Sequence, residues 1–408
     1  MIFEPETVKG FQDFLPPESQ KREKVRSIIE NYFKLYGFLP VETPSLELDE
    51  LMKPENLAGE QEDEAVSDRF RLKDRGGRNL GLRYEFTFQL SRIFKQNPNL
   101  KLPFKKYQIG SVFRDEPTSA NRFREFTQCD VDIIGSSDIE SDAECLSLVS
   151  DIAKELEIKI EILVNNRKLM NAIIDSVRIQ NKKEVMRELD KVGKVQEDII
   201  KANLRKYGDA NQILALFKLL EKPLEFFKDN LFEGAEEIEK LQNLAKFYGI
   251  KIKFNPFMVR GLYYYTGNIF EVKTEEFKET IAAGGRYDNI VGKFARREIP
   301  SVGISIGLDR IAPISKLQTD ATKAIIISIE KDKEAIKLAQ KLRANNVACT
   351  FIAEKPGKCL EYASSYQIPY AIFIGQEEAE KEKYKLRDMK SGEEKLLSEK
   401  QLINKLKK

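Results

Sequence analysis

The sequence contains no histidine and no tryptophan, and only four cysteines in 408 residues. The lack of histidine excludes a histidine general base, a Ser-His-Asp or Cys-His nucleophile and any histidine metal ligand. The cysteines are widely spaced and form no C-x-x-C pair, which indicates neither a zinc site nor a disulfide framework. Any catalysis must therefore depend on arginine, carboxylate, amide and hydroxyl groups and on a bound metal ion.

Membrane and export signals are also lacking. No stretch approaches the roughly 20 uncharged apolar residues of a membrane helix, and the first residues, MIFEPETVKGFQDFLPPE, lack the basic and then apolar layout of a signal peptide. With 41% hydrophobic and 33% charged residues, the composition is typical of a globular protein with a sizeable core. We predict a cytoplasmic protein of two or three domains.

The net charge of +2 is distributed unevenly along the chain. Residues 321–408 carry 18 lysines and arginines against 13 aspartates and glutamates, a net charge of +5, which leaves −3 for residues 1–320. This excess is either an ordinary lysine-rich surface or an RNA-facing C-terminal domain. Charge alone leaves both interpretations open.

Apolar periodicity predicts the order of the structural elements. A helix is predicted at SQKREKVRSIIENYFKLYG, ending at Gly37, and a strand at FLPVETPSLE. REFTQCDVDIIG alternates apolar and polar residues as a half-buried strand does. Residues 166–247 consist mainly of good helix formers and predict a helical insertion.

Strand-like runs resume at NIFEVKT, TIAAGG and SVGISIGL. Beyond the linker PISKLQTDAT, strands at AIIISI, ACTFIAE and AIFIG alternate with a helix from Lys333 to Asn345 and another near Leu360. That alternation predicts a small C-terminal α/β domain.

Three segments are candidates for the chemistry. The first is VFRDEPTSANRFREF, whose arginines suit a triphosphate clamp. The second is MVRGLYYYTGNIFE, in which an arginine stands beside glycine and tyrosines. The third is SVGISIGLDRI, which has two glycines on a strand and an arginine at the start of a helix. Surface arginines, a tyrosine-rich core strand and ordinary turns explain each segment equally well when it is taken alone. A Walker loop and a G-x-G-x-x-G fingerprint are both missing, so a nucleotide site must be of another kind.

In chain order, these segments resemble the signature motifs of class II aminoacyl-tRNA synthetases and two segments typical of the histidyl-tRNA synthetase family. The helix ending at Gly37 and the strand through Pro44 resemble motif 1, the dimer-forming element. FRDE followed by FREFTQCDVDIIG resembles motif 2, and GISIGLDRI resembles motif 3. RGLYYYTGNIFE and AAGGRYDNIVG resemble the histidine-specific segments, and GKCLEYASSYQIPYAIFIG resembles the family's anticodon-binding domain.

This resemblance covers nearly the whole chain and implies an α+β fold, with the class II antiparallel sheet flanked by helices. The implied domains are a catalytic domain in two parts (1–160 and 248–318), a helical insertion (161–247) and an α/β anticodon-binding domain (322–408). A homodimer, tRNA(His), L-histidine and ATP are the implied partners. The implied activity is the ATP-dependent formation of histidyl-adenylate and its transfer to tRNA.

The resemblance also implies roles for individual residues. Arg114 and Arg260 are expected to act on the α-phosphate as catalytic groups, and Arg310 to hold the γ-phosphate. No base is required, because the attacking histidine carboxylate is already ionised. Mg²⁺ is expected because the family uses ATP, but the sequence does not indicate which groups would bind the ion. The implied ATP-binding residues are Arg114, Glu116, Arg122, Phe126 and Arg310.

Histidine recognition is expected to involve acceptors around the amino group and a donor and an acceptor at the imidazole. Asp132 and Tyr265 would read the two ring nitrogens, unless Asp132 only bonds a strand end. The implied histidine-binding residues are Glu85, Thr87, Gln128, Asp132, Tyr264, Tyr265 and Tyr287.

Two positions depart from the family pattern. Tyr263 stands where the family commonly has the aspartate of RGLDYYTG, which puts in question a carboxylate that would orient Arg260. Pro117 stands where many relatives have a basic residue, and the loop DEPTSAN has no lysine or arginine. We therefore expect weaker or different contacts with the tRNA acceptor stem.

Two other functions remain to be weighed. The regulatory subunit of ATP phosphoribosyltransferase resembles the same core, but such subunits generally lack the anticodon-binding domain and the ATP-clamping arginines. An RNA-binding module derived from a synthetase would not need an intact amino-acid pocket. The lack of histidine itself has two explanations: translation that continues when charged histidine tRNA is scarce, or drift in a biased genome.

Overall fold

The computed structural model describes residues 4–52, 68–119, 122–260, 264–274, 277–317 and 322–407. By its contacts the chain forms two compact units. The first comprises Met1–Asp13 and Val25–Leu317, and the second Phe14–Lys24 and Gln318–Lys408. In the described ranges, no helix combines the length and apolar character needed to cross a membrane.

The first helix follows from the apolar spacing of its sequence. Helix α1 (Glu18–Leu35) buries Val25, Ile29 and Phe33, which recur every four residues and so share one face. It ends where Gly37 adopts a φ of 77° and the amide of Phe38 donates to the carbonyl of Phe33 at 3.0 Å.

The large sheet is predominantly antiparallel, and its strand order is β1-β5-β6-β11-β10-β9-β7-β8. Only the edge pairs β1–β5 and β7–β8 are parallel among its described ladders. The remaining strands before residue 318 form a small sheet in the order β2-β4-β3. These strands are β1 (Leu39–Pro40), β2 (Leu46–Leu48), β3 (Arg71–Lys73), β4 (Asn79–Leu82), β5 (Phe104–Phe113), β6 (Glu125–Ile134), β7 (Ile160–Asn166), β8 (Ile252–Phe254), β9 (Asn268–Thr274), β10 (Phe277–Arg286) and β11 (Ser301–Gly307).

Helices flank the large sheet and fill most of the chain from 167 to 247. Asn166 begins the first of the latter helices by accepting a hydrogen bond from the amide of Lys168 at 2.8 Å. These helices are α2 (Phe88–Gln96), α3 (Ile139–Glu155), α4 (Arg167–Ser176), α5 (Lys182–Leu189), α6 (Glu197–Leu204), α7 (Ala210–Leu220), α8 (Leu224–Asp229), α9 (Ala235–Phe247) and α10 (Leu308–Ile314), with a 3₁₀ turn at Asp49–Met52. The predicted α+β fold with an antiparallel sheet is confirmed.

Two sequence predictions need correction. The single strand predicted at FLPVETPSLE is two short strands, β1 and β2, which belong to different sheets. Prolines at 40 and 44 remove backbone donors and prevent a continuous ladder. Strand β6 was expected to be half-buried, but it is buried on both faces from Cys129 to Ile134.

The second unit contains a five-stranded sheet in the order β13-β12-β14-β15-β16. Strand β12 pairs parallel with β13 and β14, and β15 and β16 add antiparallel ladders, so the C-terminal α/β prediction is confirmed. Ser398 caps the last helix by accepting a hydrogen bond from the amide of Gln401. The elements are β12 (Ala324–Ser328), α11 (Asp332–Ala344), β13 (Cys349–Phe351), α12 (Pro356–Ser365), β14 (Tyr370–Ile374), α13 (Gln376–Lys381), β15 (Lys383–Asp388), β16 (Glu394–Ser398) and α14 (Glu399–Leu406).

Candidate active site

Strand β6 has one face in the hydrophobic core and a second, buried face that is polar. Its odd-numbered residues Cys129, Val131 and Ile133 belong to the core. Its even-numbered residues point to the opposite face, because side chains alternate along a strand. There they form cross-strand rows with β5 and β11, and the rows are Lys106–Asp132–Gly303, Gln108–Asp130–Ser305 and Gly110–Gln128–Gly307.

Glu85 lies at the start of α2, at one end of this polar face. The backbone amides of Thr87 and Phe88 donate to its Oε1 at 3.0 and 2.7 Å, and the hydroxyl of Tyr264 donates to Oε2 at 3.0 Å. Burial raises the pKa of Glu85, although these hydrogen bonds oppose the shift. The carboxylate is thus fixed in position, with lone pairs left for a further donor.

Aromatic rings cover the polar face. The ring of Tyr264 lies 4.9 Å from that of Tyr265 and meets the rings of Tyr287 and Phe88 edge to face at 5.8 and 6.0 Å. All three tyrosines are buried. Burial raises the pKa of each, so their hydroxyls remain protonated donors at neutral pH.

Asp132 has a partner at each carboxylate oxygen. The hydroxyl of Tyr287 donates to Oδ1, and the Nζ of Lys106 lies 2.7 Å from Oδ2. Both Asp132 and Lys106 are buried. The simpler alternative, that Asp132 only bonds a strand end, does not describe this arrangement.

Asp130 and Gln128 share a contact with Ser305 on the neighbouring strand. The hydroxyl of Ser305 donates to Asp130, and the Nε2 of Gln128 donates to Ser305 Oγ at 2.6 Å. Burial raises the pKa of Asp130 to about 8, and the charges of Asp132 and Glu85 add to the increase. The Oε1 of Gln128 is buried without a hydrogen-bond partner among the described residues.

Two of the three arginines of VFRDEPTSANRFREF approach the same carboxylate. Glu116 is buried and pairs with Arg122, with its Oε1 3.9 Å from an Nη of Arg114. The guanidinium of Arg114 lies 4.3 Å from the ring of Tyr84 and 5.0 Å from that of Phe126. Four of the predicted ATP-binding residues are therefore close together.

Arg260 and Arg310 both contact the hairpin of β9 and β10. An Nη of Arg260 lies 3.6 Å from Glu271 Oε1, which also accepts from the hydroxyl of Thr280. The carbonyl of Thr280 accepts from Arg310 at 2.6 Å. Burial acts to raise the pKa of Glu271, but the Thr280 hydrogen bond and the neighbouring charges bring it below its ordinary value. Glu271 thus supplies a carboxylate beside Arg260, whereas Tyr263, where the family has aspartate, lies outside the described residues.

Sequence reasoning missed several residues of this face: Lys106, Asp130, Ser305 and Glu271. Each has a polar or charged side chain at an inward position of a strand. That alternation was visible in the sequence, but the partners become apparent only once the strand register is known.

A family model described as Histidyl-tRNA synthetase matches residues 10–311, and one described as Anticodon binding domain matches residues 323–408. Histidine--tRNA ligase 1 of Bacillus cereus is 37% identical over 96% of this chain and 94% of its own length. The chain belongs to the histidyl-tRNA synthetase family. Both regions of its sequence, catalytic and C-terminal, are represented in these matches.

Solved structures agree with membership of the histidyl-tRNA synthetase family. A histidyl-tRNA synthetase from Nostoc sp. superposes with a TM-score of 0.86 at 25% identity, covering 100% of this chain and 99% of that one. A Bacillus halodurans protein described as an ATP phosphoribosyltransferase regulatory subunit/histidyl-tRNA synthetase superposes with a TM-score of 0.76 at 23% identity, covering 91% of this chain and 100% of that one. This second likeness shows the fold alone, so it does not favour a regulatory function.

Proposed function

We propose that this chain is a histidine-tRNA ligase, which activates L-histidine with ATP to histidyl-adenylate and transfers the histidyl group to tRNA(His). The observation that carries the proposal is two buried polar atoms, one on a predicted histidine-binding residue and one on a predicted catalytic arginine. Gln128 Oε1 and Arg260 Nε have no hydrogen-bond partner among the described residues. Buried unpaired groups are costly, and at such a site they indicate ligand contacts.

On the histidine side, we propose that acceptors bind the α-ammonium group. Gln128 Oε1 and the fixed carboxylate of Glu85, which Thr87 helps to orient, provide these acceptors. Asp132 would accept the imidazole N–H, and Tyr265 would donate to the other ring nitrogen, with Tyr264 and Tyr287 completing the wall. Because neutral imidazole has one donor and one acceptor, such a pocket rejects amino acids that leave those groups unpaired.

On the ATP side, we propose that arginines stabilise the charge that develops at the α-phosphate. The histidine carboxylate oxygen attacks the α-phosphorus, and pyrophosphate leaves. Arg114 and Arg260 would approach the α-phosphate from two sides, and Arg310 would hold the γ-phosphate. The adenine would insert beside Phe126, releasing Glu116 from its present ion pairs with Arg114 and Arg122.

Mg²⁺ is proposed to enter with ATP rather than in a site formed by protein ligands alone. In the described part of the chain, no group of three or more aspartate, glutamate or cysteine side chains is arranged so that it could hold a metal ion. Glu271, the carboxylate beside Arg260, already has Arg260, Lys273 and Thr280 as partners. This fits a magnesium ion held largely by phosphate oxygens, which would neutralise charge on the leaving pyrophosphate.

We also propose the domain boundaries predicted above, a cytoplasmic location and a homodimer. Support for the dimer comes from apolar side chains exposed near the end of α1 and on β1 and β2, where the sequence resembles motif 1. Leu35, Leu39 and Leu48 are 69%, 57% and 54% exposed. Large apolar side chains exposed in elements that resemble a dimer-forming motif support an interface there. Sedimentation velocity would give the mass in solution.

The test of the proposed function is the exchange of pyrophosphate into ATP, with each of the twenty amino acids in turn. We expect exchange with histidine alone. Arg260→Ala should lower the exchange rate by about 10²–10³-fold, the usual effect of removing one group that stabilises transition-state charge. Arg205→Ala, at an exposed arginine in the helical insertion, serves as the matched control. Histidine binding without exchange by the unmodified chain would instead indicate the regulatory paralogue.

A further inference from the structure

Lys106 is a fully buried lysine on the polar face of the sheet. Its relative exposure is 0%, and its Nζ lies 2.7 Å from Asp132 Oδ2. Lysines are almost never buried to this extent without a functional or structural partner, because removing an ammonium group from water is costly. The adjacent Lys105 lies on the other face of β5, where it bonds Glu144 and the carbonyl of Tyr36, both at 2.6 Å.

Two buried acids interact with the ammonium group of Lys106. Asp132 lies 2.7 Å from it, and Asp130, the next residue on the same face of β6, is also less than 10% exposed. Burial raises the pKa of Asp130, and the charge of Lys106 opposes that increase. Lys106 is therefore the cation of this buried part of the polar face.

The lone pairs that its partners leave open determine what the carboxylate of Asp132 can recognise. An ionised carboxylate only accepts hydrogen bonds, whereas a protonated one presents an O–H donor. In the structure Asp132 accepts from Tyr287 at one oxygen and pairs with Lys106 at the other, and each oxygen has a second lone pair. The carboxylate can therefore accept an N–H of a ligand while keeping both partners.

The Nζ of Lys106 has no well-aligned hydrogen bond among the described residues despite its closeness to Asp132. The contact is thus an ion pair in which attraction between charges dominates. Such a pair contributes mainly by fixing the charge and the orientation of its acid, since the burial of two charges offsets much of their attraction.

We propose that Lys106 is a positioning residue for amino-acid selection: it holds the carboxylate of Asp132 in one orientation, so that the pocket accepts the N–H of a neutral imidazole. This inference rests on the proposed function, in which that imidazole is the side chain of the substrate. Lys106 acts through Asp132 and does not itself touch the substrate. The other charged or titratable groups that face this pocket are Asp130, Glu85, Arg260, Tyr264, Tyr265 and Tyr287.

The test compares Lys106→Met with the unmodified chain. Pyrophosphate exchange gives KM for histidine and for ATP, and calorimetry gives the affinity for histidine without requiring catalysis. We expect the KM for histidine to rise about 10- to 100-fold, because a misplacement of about 1 Å in a binding site costs roughly 10²-fold. The KM for ATP should change less than about twofold, because the arginine cluster does not include Lys106.

Three further variants separate positioning from folding. Lys105→Met, one residue away on the opposite face, should leave both KM values unchanged. Lys106→Arg keeps the positive charge and should retain most of the histidine affinity of the unmodified chain. In an Asp132→Asn background, Lys106→Met should lower histidine affinity by less than about threefold, because the residue through which it acts no longer carries a carboxylate. Should Lys106→Met not fold, Lys106→Gln is measured with the same readouts.

The outcomes distinguish this inference from the proposed function. Equal increases in both KM values, or a Lys106→Met effect that persists in full in the Asp132→Asn background, would show that Lys106 only supports the fold. If the unmodified chain shows no exchange but binds histidine, and this binding weakens in Lys106→Met and not in Lys105→Met, the proposed catalysis is wrong while the inference stands. No histidine binding by the unmodified chain overturns both.

Discussion

Gly303 leaves room for the carboxylate of Asp132, which we propose recognises the imidazole. A Cβ atom at this position would lie 2.1 Å from Asp132 Oδ1 and 2.8 Å from the carbonyl oxygen of Val131. Since unstrained contacts begin at about 3.5 Å, Gly303→Ala must displace the carboxylate by more than about 1 Å. The backbone carbonyl of Val131 cannot move comparably without disturbing the ladder between β6 and β11.

The expected cost of Gly303→Ala has two parts. Overpacking by one methyl group should lower the free energy of unfolding by about 1–3 kcal/mol. Displacing Asp132 also separates it from the Tyr287 hydroxyl and from Lys106. A misplacement of about 1 Å in a binding site costs roughly 10²-fold, so kcat/KM for histidine should fall by about that factor.

The assay is pyrophosphate exchange at varied histidine and saturating ATP, with urea unfolding of the same preparations. Gly307→Ala is the matched control, because it lies on the same strand and the same face but its nearest neighbouring atom would be 3.7 Å away. This control for the packing cost should retain most of its stability, because the added methyl group meets no strained contact. If Gly303→Ala kept a normal KM for histidine, Asp132 would not be the imidazole acceptor.

Two further predictions concern the buried charges around the site. Arg286 donates to the carbonyls of Ser136 and Asp138 at 2.7 and 2.9 Å and pairs with buried Asp142. Arg286→Met leaves that buried acid without its partner and should lower the free energy of unfolding by about 3–5 kcal/mol, as measured by urea titration. The loss should be smaller at pH 5 than at pH 8, because burial already raises the pKa of Asp142 to about 6 and the acid can take up a proton. The pKa of Asp130 is about 8 in the folded state, against an ordinary value of 3.8. The folded chain therefore binds this proton more tightly than the unfolded chain, which contributes stability that is fully present below pH 4 and is lost as the pH rises to 8. Asp130→Asn does not titrate, so its melting temperature relative to the unmodified chain should increase from pH 5 to pH 8, and a constant difference would contradict the assignment.

Local sequence signals predicted most of the elements correctly. Helix α1 could be predicted because Val25, Ile29 and Phe33 share a face and Gly37 follows them, and both signals are local. The C-terminal domain could be predicted from the alternation of β-branched runs with helical ones. By contrast, FLPVETPSLE was predicted as one strand, although its prolines lack the backbone N–H groups that a continuous strand needs for pairing.

The polar face illustrates what a single sequence leaves undetermined. Gln128 and Asp132 were predicted as ligands, but Lys106 was not, because KKYQIGSV is equally typical of an exposed strand. Its burial depends on pairing between β5 and β6 and on cover from Tyr287, which lies 155 residues from Asp132 in the chain. Such non-local contacts follow from register and topology rather than from any local pattern.

The even-numbered residues of β6 place the two halves of the proposed reaction along a single strand. Phe126 lies beside Arg114, Gln128 and Asp130 meet at Ser305, and Asp132 lies under Tyr287. Six residues of an extended strand span about 20 Å, enough to separate adenine at one end from imidazole at the other. This strand pairs with β5 along its whole length and with β11 from Gln128 to Ile134, so a substrate aligned with it would have its amino-acid and nucleotide ends held by one element. Changes near Phe126 should therefore alter ATP affinity and changes near Asp132 histidine affinity, while displacement of β6 itself would impair both.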